Sequence, residues 1–367
     1  VGADPTHPQQ AGRAAQGSQP PHAPKSLPRD NAYFIEKLRA LALELRGAVA
    51  QGMRSASIEE LATATGDRGG DTIYQLDVHG EDALLVFCDR WGAEQPLLLI
   101  AEGLEDGGRI FPAGAYPTAA TFTLIVDPID GTRGLMYGKR SAWALMGVAP
   151  APTANWRPTL ADIQVALQAE LPTLRAALAD VVWATLGAGA QGETHDLRTG
   201  GVTPFTPRPS RATTLAGGFA ALAKFFPGAK TLTADLEERL FAEVVGTPPT
   251  ESPLVFDDEY ISSGGQLYEL MMGHDRFIAD LRPILHGQAG ATRLMSAHPY
   301  DLCTALIAQE AGVIVADPWG APLAAPLDTH TGVAWAGYAN AALHQSIAPV
   351  LQRLLRESTR EREGGGN

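Results

Sequence analysis

The sequence predicts an α/β fold in two lobes, and three observations carry that prediction. Strand-like apolar runs alternate with helix-periodic ones along most of the chain. The length of 367 residues accommodates two domains at roughly 100 to 200 residues each. The stretch 202–209 holds Pro204, Pro207 and Pro209 without hydrophobic periodicity, which places a boundary near residue 204.

The N-terminal 1–29 contains Pro5, Pro8, Pro20, Pro21, Pro24 and Pro28 among Gln, Gly, Ser and Ala, with no aromatic residue. It reads as a disordered tail. The fold begins with a helix over 31–54, where Phe34, Leu38, Leu41, Leu45 and Val49 recur at helical spacing and Asp30 or Asn31 can cap. In the first lobe, 30–204, strands are expected over 72–77, 97–102, 121–127, 142–148 and 163–169, with a helix over 81–90. The second lobe, 205–356, should hold helices over 234–245, 265–272 and 301–311, a strand over 312–317 and a closing helix over 341–356. The charged stretch 357–367 runs into Gly364, Gly365 and Gly366 and is expected to fray. No repeat of fixed period is visible.

Hydrophobic residues at 45% and charged residues at 19% are the balance of a globular enzyme, which excludes disorder of the bulk. Twenty-eight basic against 41 acidic side chains leave a charge of -13, a field that repels phosphate backbones and anionic lipid. Partners are therefore expected to be neither nucleic acid nor membrane. The same field makes a phosphorylated ligand hard to hold unless a local cation neutralises it, and a metal ion can do so. No run reaches the ~18 to 20 apolar residues of a membrane span and no signal-like apolar segment opens the chain, so a cytoplasmic location is expected. Cys88 and Cys303 are far apart in apolar patterns and read as small buried hydrophobes.

The most informative segment runs from Thr121 to Gly134. An apolar strand ends at Asp127, Pro128 should stop the ladder, and Asp130-Gly131-Thr132 forms a turn that can open a helix. Asp127 and Asp130 can then curl toward one another, with the Ile129 carbonyl as a third oxygen donor, a hard set suited to Mg²⁺. The Gly131 and Thr132 amides, at a helix start, make an anion site. An isolated Asp-Gly pair is usually an ordinary turn. Here the order of six residues, Asp127-Pro-Ile-Asp-Gly-Thr132, resembles the signature of the inositol monophosphatase family, within the wider fructose-1,6-bisphosphatase-like superfamily.

Further motifs carry the same resemblance. The run Pro96-Leu-Leu-Leu-Ile-Ala-Glu102 is similar to the strand that ends in the family's first metal-binding Glu, although Gly103 stands where a second Glu is usual. The segment from His298 through Asp301 to Glu310-Ala-Gly312 resembles the C-terminal motif, making Asp301 the ligand from the second lobe; capping a helix is its plainer explanation. Asp77 corresponds to the family's Asp that hydrogen-bonds the signature threonine, or else caps the helix that follows. The stretches 103–120, 150–162 and 282–298 are inserts relative to small family members.

What the resemblance implies is a layered α-β-α-β-α sandwich and Mg²⁺-dependent hydrolysis of a small phosphate monoester, of a polyol, inositol or sugar. Glu102, Asp127, the Ile129 carbonyl, Asp130 and Asp301 would hold two or three Mg²⁺ ions that clamp phosphate oxygens and activate water. Thr132, oriented by Asp77, and Glu102 would take the water's proton, and the Gly131 and Thr132 amides would hold the phosphate. Asp130 would also contact substrate. Asp275 or Asp280, beyond Ser262-Ser-Gly-Gly265, would bind sugar hydroxyls unless they lie in a solvated loop paired with Arg276; His274 and His286 read as surface histidines. A fructose bisphosphate or 3'-nucleotide bisphosphate would call for extra basic groups that the sequence does not place. A catalytically silent regulatory member is the alternative of a different class. A homodimer is implied by resemblance alone.

Overall fold

The structure is a computed structural model that describes residues 26–68, 71–104, 107–246, 254–288 and 296–364. Its layers run α-β-α-β-α, as expected. Helix α1 (Asn31–Ser55) starts at Asp30, whose carboxylate accepts the Tyr33 amide at 2.9 Å, and buries Phe34, Leu38, Leu41, Leu45 and Val49. A single turn, α2 (Ile58–Leu61), is closed by a capping box between Ser57 and Glu60. The hairpin β1 (Ala64–Arg68) and β2 (Asp71–Tyr74) then leads into α3 (Gln75–Glu94). The strand expected over 72–77 thus stops at Tyr74, and the helix starts well before residue 81. Asp77 is the physical reason: in the first turn of α3 its carboxylate accepts the Tyr74 amide at 2.7 Å.

The first sheet comprises β3 (Leu97–Ala101), β4 (Arg109–Phe111) and β5 (Phe122–Asp130), then, after the short α4 (Thr132–Met136), β6 (Ala142–Pro150), β7 (Val165–Leu171), β8 (Leu178–Thr185), β9 (Ala190–Asp196) and β10 (Val202–Phe205). Its spatial order is β10-β9-β8-β7-β6-β5-β3-β4, and β3 with β5 is its parallel pair. Strands β8 to β10 have no separate place in the sequence reading. The stretch over 202–209 includes a real edge strand, where Pro204 is tolerated because one side of the ladder is unpaired. Every residue of β5 and β6 is buried, since helices cover both faces of the sheet.

The second sheet is assembled from β11 (Gly218–Leu222), β12 (Val255–Phe256), β13 (Asp275–Asp280), β14 (Ile314–Ala316) and β15 (Trp335–Tyr338), in the order β12-β11-β13-β15-β14. Between these strands lie α5 (Lys230–Val245), α6 (Ser263–Met271), α7 (Arg282–Gln288) and α8 (Ala305–Ala311), and α9 (Ala341–Gly364) closes the chain. Residues 275–280 are therefore a central strand and not a solvated loop. Helix α8 begins at Ala305, four residues later than expected, after a series of turns that contains Asp301. Helix α9 continues to Gly364 through most of the stretch expected to fray. Residues 1–25 and 365–367, where the rest of the tail expectation falls, lie outside the described residues.

Three apolar clusters bind the layers together. The first joins α1 and α3 to one face of the first sheet, centred on Phe34, Trp91 and Phe122, with Phe122 ring centroids 5.1 Å from both of the others. A second, between the sheets, takes in α6, α8 and the buried Cys303; Cys88 is buried in the first. The third lies between the second sheet and α5 and α9. Glu310, from the Glu-Ala-Gly motif, accepts the Gly187 and Gly189 amides at 2.7 Å each, tying the β8–β9 turn to α8. Among the described residues no helix is long and apolar enough to cross a membrane.

Because Phe34 is fully enclosed by Trp91 and Phe122, Phe34→Ala should destabilise the fold by about 3 to 5 kcal/mol. Denaturant unfolding of the variant measures this directly. A loss below about 1 kcal/mol would show that α1 is not an integral layer.

Candidate active site

The cleft between the two sheets is built around the end of β5. Opposite β6, Asp127 pairs with Leu145 and Asp130 with Trp143, so one extra residue is accommodated on β5. Pro128 thus does not end the strand: it sits in a bulge, and pairing resumes at Asp130. The Asp127 carboxylate accepts the Ile129 amide at 2.9 Å, which holds it at the strand end. Gly131 follows at φ +99°, and a Cβ there would lie 3.1 Å from Ser262 Cβ and 3.3 Å from the Ile261 carbonyl oxygen. Only glycine meets both the conformation and the approach of the second half of the chain.

Carboxylate oxygens of Asp127, Asp130 and Asp301 lie within 4.8 Å of one another, although Asp301 is distant in sequence. Asp301 is held in its turn by the His298 amide, 2.6 Å from Oδ2. It therefore caps the turn 298–301 and not α8. Glu102, directly after β3, lines the same cleft outside that closest trio; its amide donates to the Val126 carbonyl at 3.3 Å. Beside the trio, the Thr132 hydroxyl lies 2.6 Å from Asp77 Oδ1 and 2.8 Å from the Ile129 carbonyl oxygen. Its single proton can be donated to only one of them, and a lone pair of the oxygen remains for accepting a hydrogen bond. Asp77 is thus both the helix cap and the partner of the signature threonine.

Asp130 is held from the second half. Its Oδ2 accepts the Ser262 hydroxyl at 2.8 Å and the Gly264 amide at 2.6 Å, both from the start of α6. A Cβ on Gly264 would come 3.0 Å from that oxygen and 2.4 Å from Leu145. Ser262 and Gly264 were legible only as part of the leaving-group region; their grip on Asp130 depends on a contact across more than 130 residues.

Burial pushes the Asp127 carboxyl well above the usual carboxylate range, and Glu102, Asp130 and Asp301 add to the rise. Asp130 is pushed up to about 8, by burial first and Asp301 second, against the lowering effect of its hydrogen bonds from Gly264 and Ser262. Crowded, buried, hard oxygen donors of this kind fit a divalent cation, which would supply the missing positive charge. The Ile129 carbonyl, with two lone pairs, can serve such a cation and Thr132 together.

Two expected substrate residues stand elsewhere. Asp275 opens β13 away from the cleft, where burial, with Glu269 adding, lifts it to about 7. Asp280 is fully buried and turned to Arg282, whose Nε donates to its Oδ1 at 2.8 Å. Arg276 instead donates to the Thr214 and Ala216 carbonyls. His274 is exposed and paired with Glu269, as a surface histidine should be. His286, by contrast, is buried on α7, with Gly228 close to its ring. Unforeseen residues also line the cleft: Tyr74, Arg133, Phe225, Phe226, Arg282 and Ser296. Arg133 directly follows the signature and was the one within reach of sequence reading.

No protein-family model matches the chain, and no curated protein matches it. Solved structures do. Leishmania major fructose-1,6-bisphosphatase in holo form aligns at 16% identity over 92% of this chain and 96% of its own, with a TM-score of 0.62. Extragenic suppressor protein suhB from Bartonella henselae aligns at 14% identity over 88% and 99%, TM-score 0.58. The Thermotoga maritima IMPase aligns at 15% identity over 89% and 98%, TM-score 0.53. The chain has the fold shared by inositol monophosphatases, SuhB proteins and fructose-1,6-bisphosphatase.

The raised carboxyls set a pH dependence for the metal-free protein. Between the ordinary carboxylate range and about 8, where Asp130 titrates, the folded chain binds more protons than the unfolded one, so stability must fall as pH rises through that window. Thermal midpoints in chelator from pH 5 to 9 should decline accordingly, and Asp130→Asn should flatten the decline. A flat wild-type profile would mean that the carboxylates do not crowd as described.

Proposed function

We propose that the chain is a Mg²⁺-dependent phosphate monoester hydrolase acting on a small polyol, inositol or sugar phosphate. The observation that carries the reading is the meeting of Asp127, Asp130 and Asp301 within 4.8 Å, beside a Thr132–Asp77 hydrogen bond of 2.6 Å. Metal ligation alone would not require that second pair. The fold it shares with known phosphatases supports the same reading.

Glu102, Asp127, the Ile129 carbonyl, Asp130 and Asp301 would hold the metal, with two ions favoured because Gly103 offers no side-chain oxygen. When bound, Mg²⁺ would supply charge neutralisation and water activation. The protein's residues do the rest. Thr132 can relay a proton, taking one from an approaching water as it passes its own hydroxyl proton to the Asp77 carboxylate. Glu102, at the cleft wall, is a second acceptor. The Gly131 and Thr132 amides, at the turn into α4, would donate to phosphate oxygens as negative charge builds on them. Ser262 and Gly264 keep Asp130 in one orientation, so the second half of the chain must be docked for the donor set to be complete.

Two variants test this. Asp127→Asn should abolish Mg²⁺-dependent phosphate release from a panel of sugar, inositol and polyol phosphates while keeping the shape of the side chain; retained turnover would sink the ligand assignment. Thr132→Ala should lower kcat by about 10² to 10⁴ and leave Mg²⁺ affinity, measured by calorimetry, largely intact. Collapse of metal affinity together with rate would mean that Thr132 is only a structural cap.

A further inference from the structure

Gln168 stands in the middle of β7 and is wholly buried. On one face of that strand Leu167 and Ala169 join the apolar cluster under α1 and α3, whereas Ala166, on the same face as Gln168, belongs to the cluster between the sheets. An apolar residue would suit that position, and a buried amide costs stability unless both of its ends are paired. Both are. Nε2 donates to the Gly264 carbonyl at 2.8 Å, and Oε1 accepts the Thr304 hydroxyl at 3.1 Å. A carbonyl oxygen can only accept, so the amide has one orientation. Thr304 is itself fully buried directly before α8, yet its hydroxyl is directed to Gln168 and does not cap that helix.

Each partner belongs to a segment that completes the carboxylate trio. Gly264 donates its amide to Asp130 Oδ2 at 2.6 Å, so the residue that grips Asp130 is gripped in turn by Gln168. Thr304 lies three residues beyond Asp301 in one series of turns, where the Asp301 amide donates to the His298 carbonyl and the Ala305 amide to the Leu302 carbonyl. Across the first sheet Gln168 pairs with Leu145, and Leu145 with Asp127, so the amide stands in the same cross-strand row as the remaining carboxylate. Packing around this row is close. A Cβ on Gly264 would come 2.4 Å from Leu145, and one on Gly147 of β6 would come 3.0 Å from the Cys303 carbonyl oxygen.

We propose that Gln168 is a positioning residue for the metal site. By tying the start of α6 and the turns around Asp301 to the row of Asp127, it sets the separation of the three carboxylates and with it the affinity for a divalent cation. The amide is neutral and adds no charge to the cluster, so its effect is geometric. Groups that orient metal ligands from outside govern affinity even when every ligand is present. This role rests on the metal-dependent phosphatase reading above, but its main readout, Mg²⁺ binding, needs no turnover.

Gln168→Met keeps length and bulk while removing both hydrogen bonds, Thr304→Val removes only one, and Thr304→Ser keeps the hydroxyl. Calorimetry gives the Mg²⁺ affinity of each folded variant, thermal midpoints in chelator check folding, and phosphate release from the panel of sugar, inositol and polyol phosphates is followed alongside. Gln168→Met should weaken Mg²⁺ binding about tenfold or more, the scale of losing an outer partner of a metal ligand. Thr304→Val should weaken it less, and Thr304→Ser should bind like the wild type. Gln168→Met combined with Thr304→Val should bind no worse than Gln168→Met alone, because both changes break the same contact. Should Gln168→Met fail to fold, Thr304→Val against Thr304→Ser carries the comparison. Lower thermal midpoints with unchanged Mg²⁺ affinity would overturn the positioning role, as would equal losses in Thr304→Val and Thr304→Ser, and either result leaves the phosphatase reading standing. Weakened Mg²⁺ binding in variants of a wild type that releases no phosphate would support the role and overturn the phosphatase reading. Failure of the wild type to bind Mg²⁺ would overturn both.

Discussion

The rest of the structure depends on the confinement of carboxylates from distant parts of the chain in one buried space. Asp127, Asp130 and Asp301 come within 4.8 Å, and burial with mutual repulsion drives at least two of them away from their ordinary titration range. Such a cluster is unfavourable for folding in isolation. It persists because the surrounding layers are bound by three large apolar clusters, and because each carboxylate is held by specific donors: the Ile129 amide for Asp127, Ser262 and Gly264 for Asp130, and the His298 amide for Asp301. Stability is given up locally where a cation would restore it.

The donors also distribute responsibility for the site between the halves of the molecule. The bulge in β5 aims Asp127 and Asp130 into the cleft, but one oxygen of Asp130 belongs to the start of α6. The signature is therefore not a self-contained loop. Gly131 fits closely against Ser262, and Gly264 against Asp130 and Leu145, so a side chain at either position would have to displace its neighbours. A small change in how the sheets pack would reach the donor set directly.

Charge is arranged along the cleft in the same way. The molecule carries -13 overall, and the cleft concentrates that sign in Asp77, Glu102, Asp127, Asp130 and Asp301. The same cleft carries Arg133 and Arg282, over the rings of Tyr74, Phe225 and Phe226, with Arg282 paired to Asp280.

By itself, the sequence determined the class of fold, the apolar stripe of α1, the apolar strands that lead into Glu102 and Asp127, and, through resemblance to a known family, the residues of the carboxylate cluster. These are local signals, read from periodicity or from short motifs. The tertiary structure decided what depends on contacts distant in sequence. Asp280 looked available for a sugar hydroxyl, yet as the last residue of a central strand it is wholly enclosed and bound to Arg282. His286 looked like a surface residue and is buried, its ring beside Gly228, nearly 60 residues earlier in the chain. Helix α8 starts late because Asp301 closes a turn of its own first. Asp77 could be read as a cap or as the partner of Thr132, and the structure makes it both, one carboxylate oxygen for each. A side chain's chemistry is written in its identity, but its partner is set by packing, and packing is a property of the whole chain.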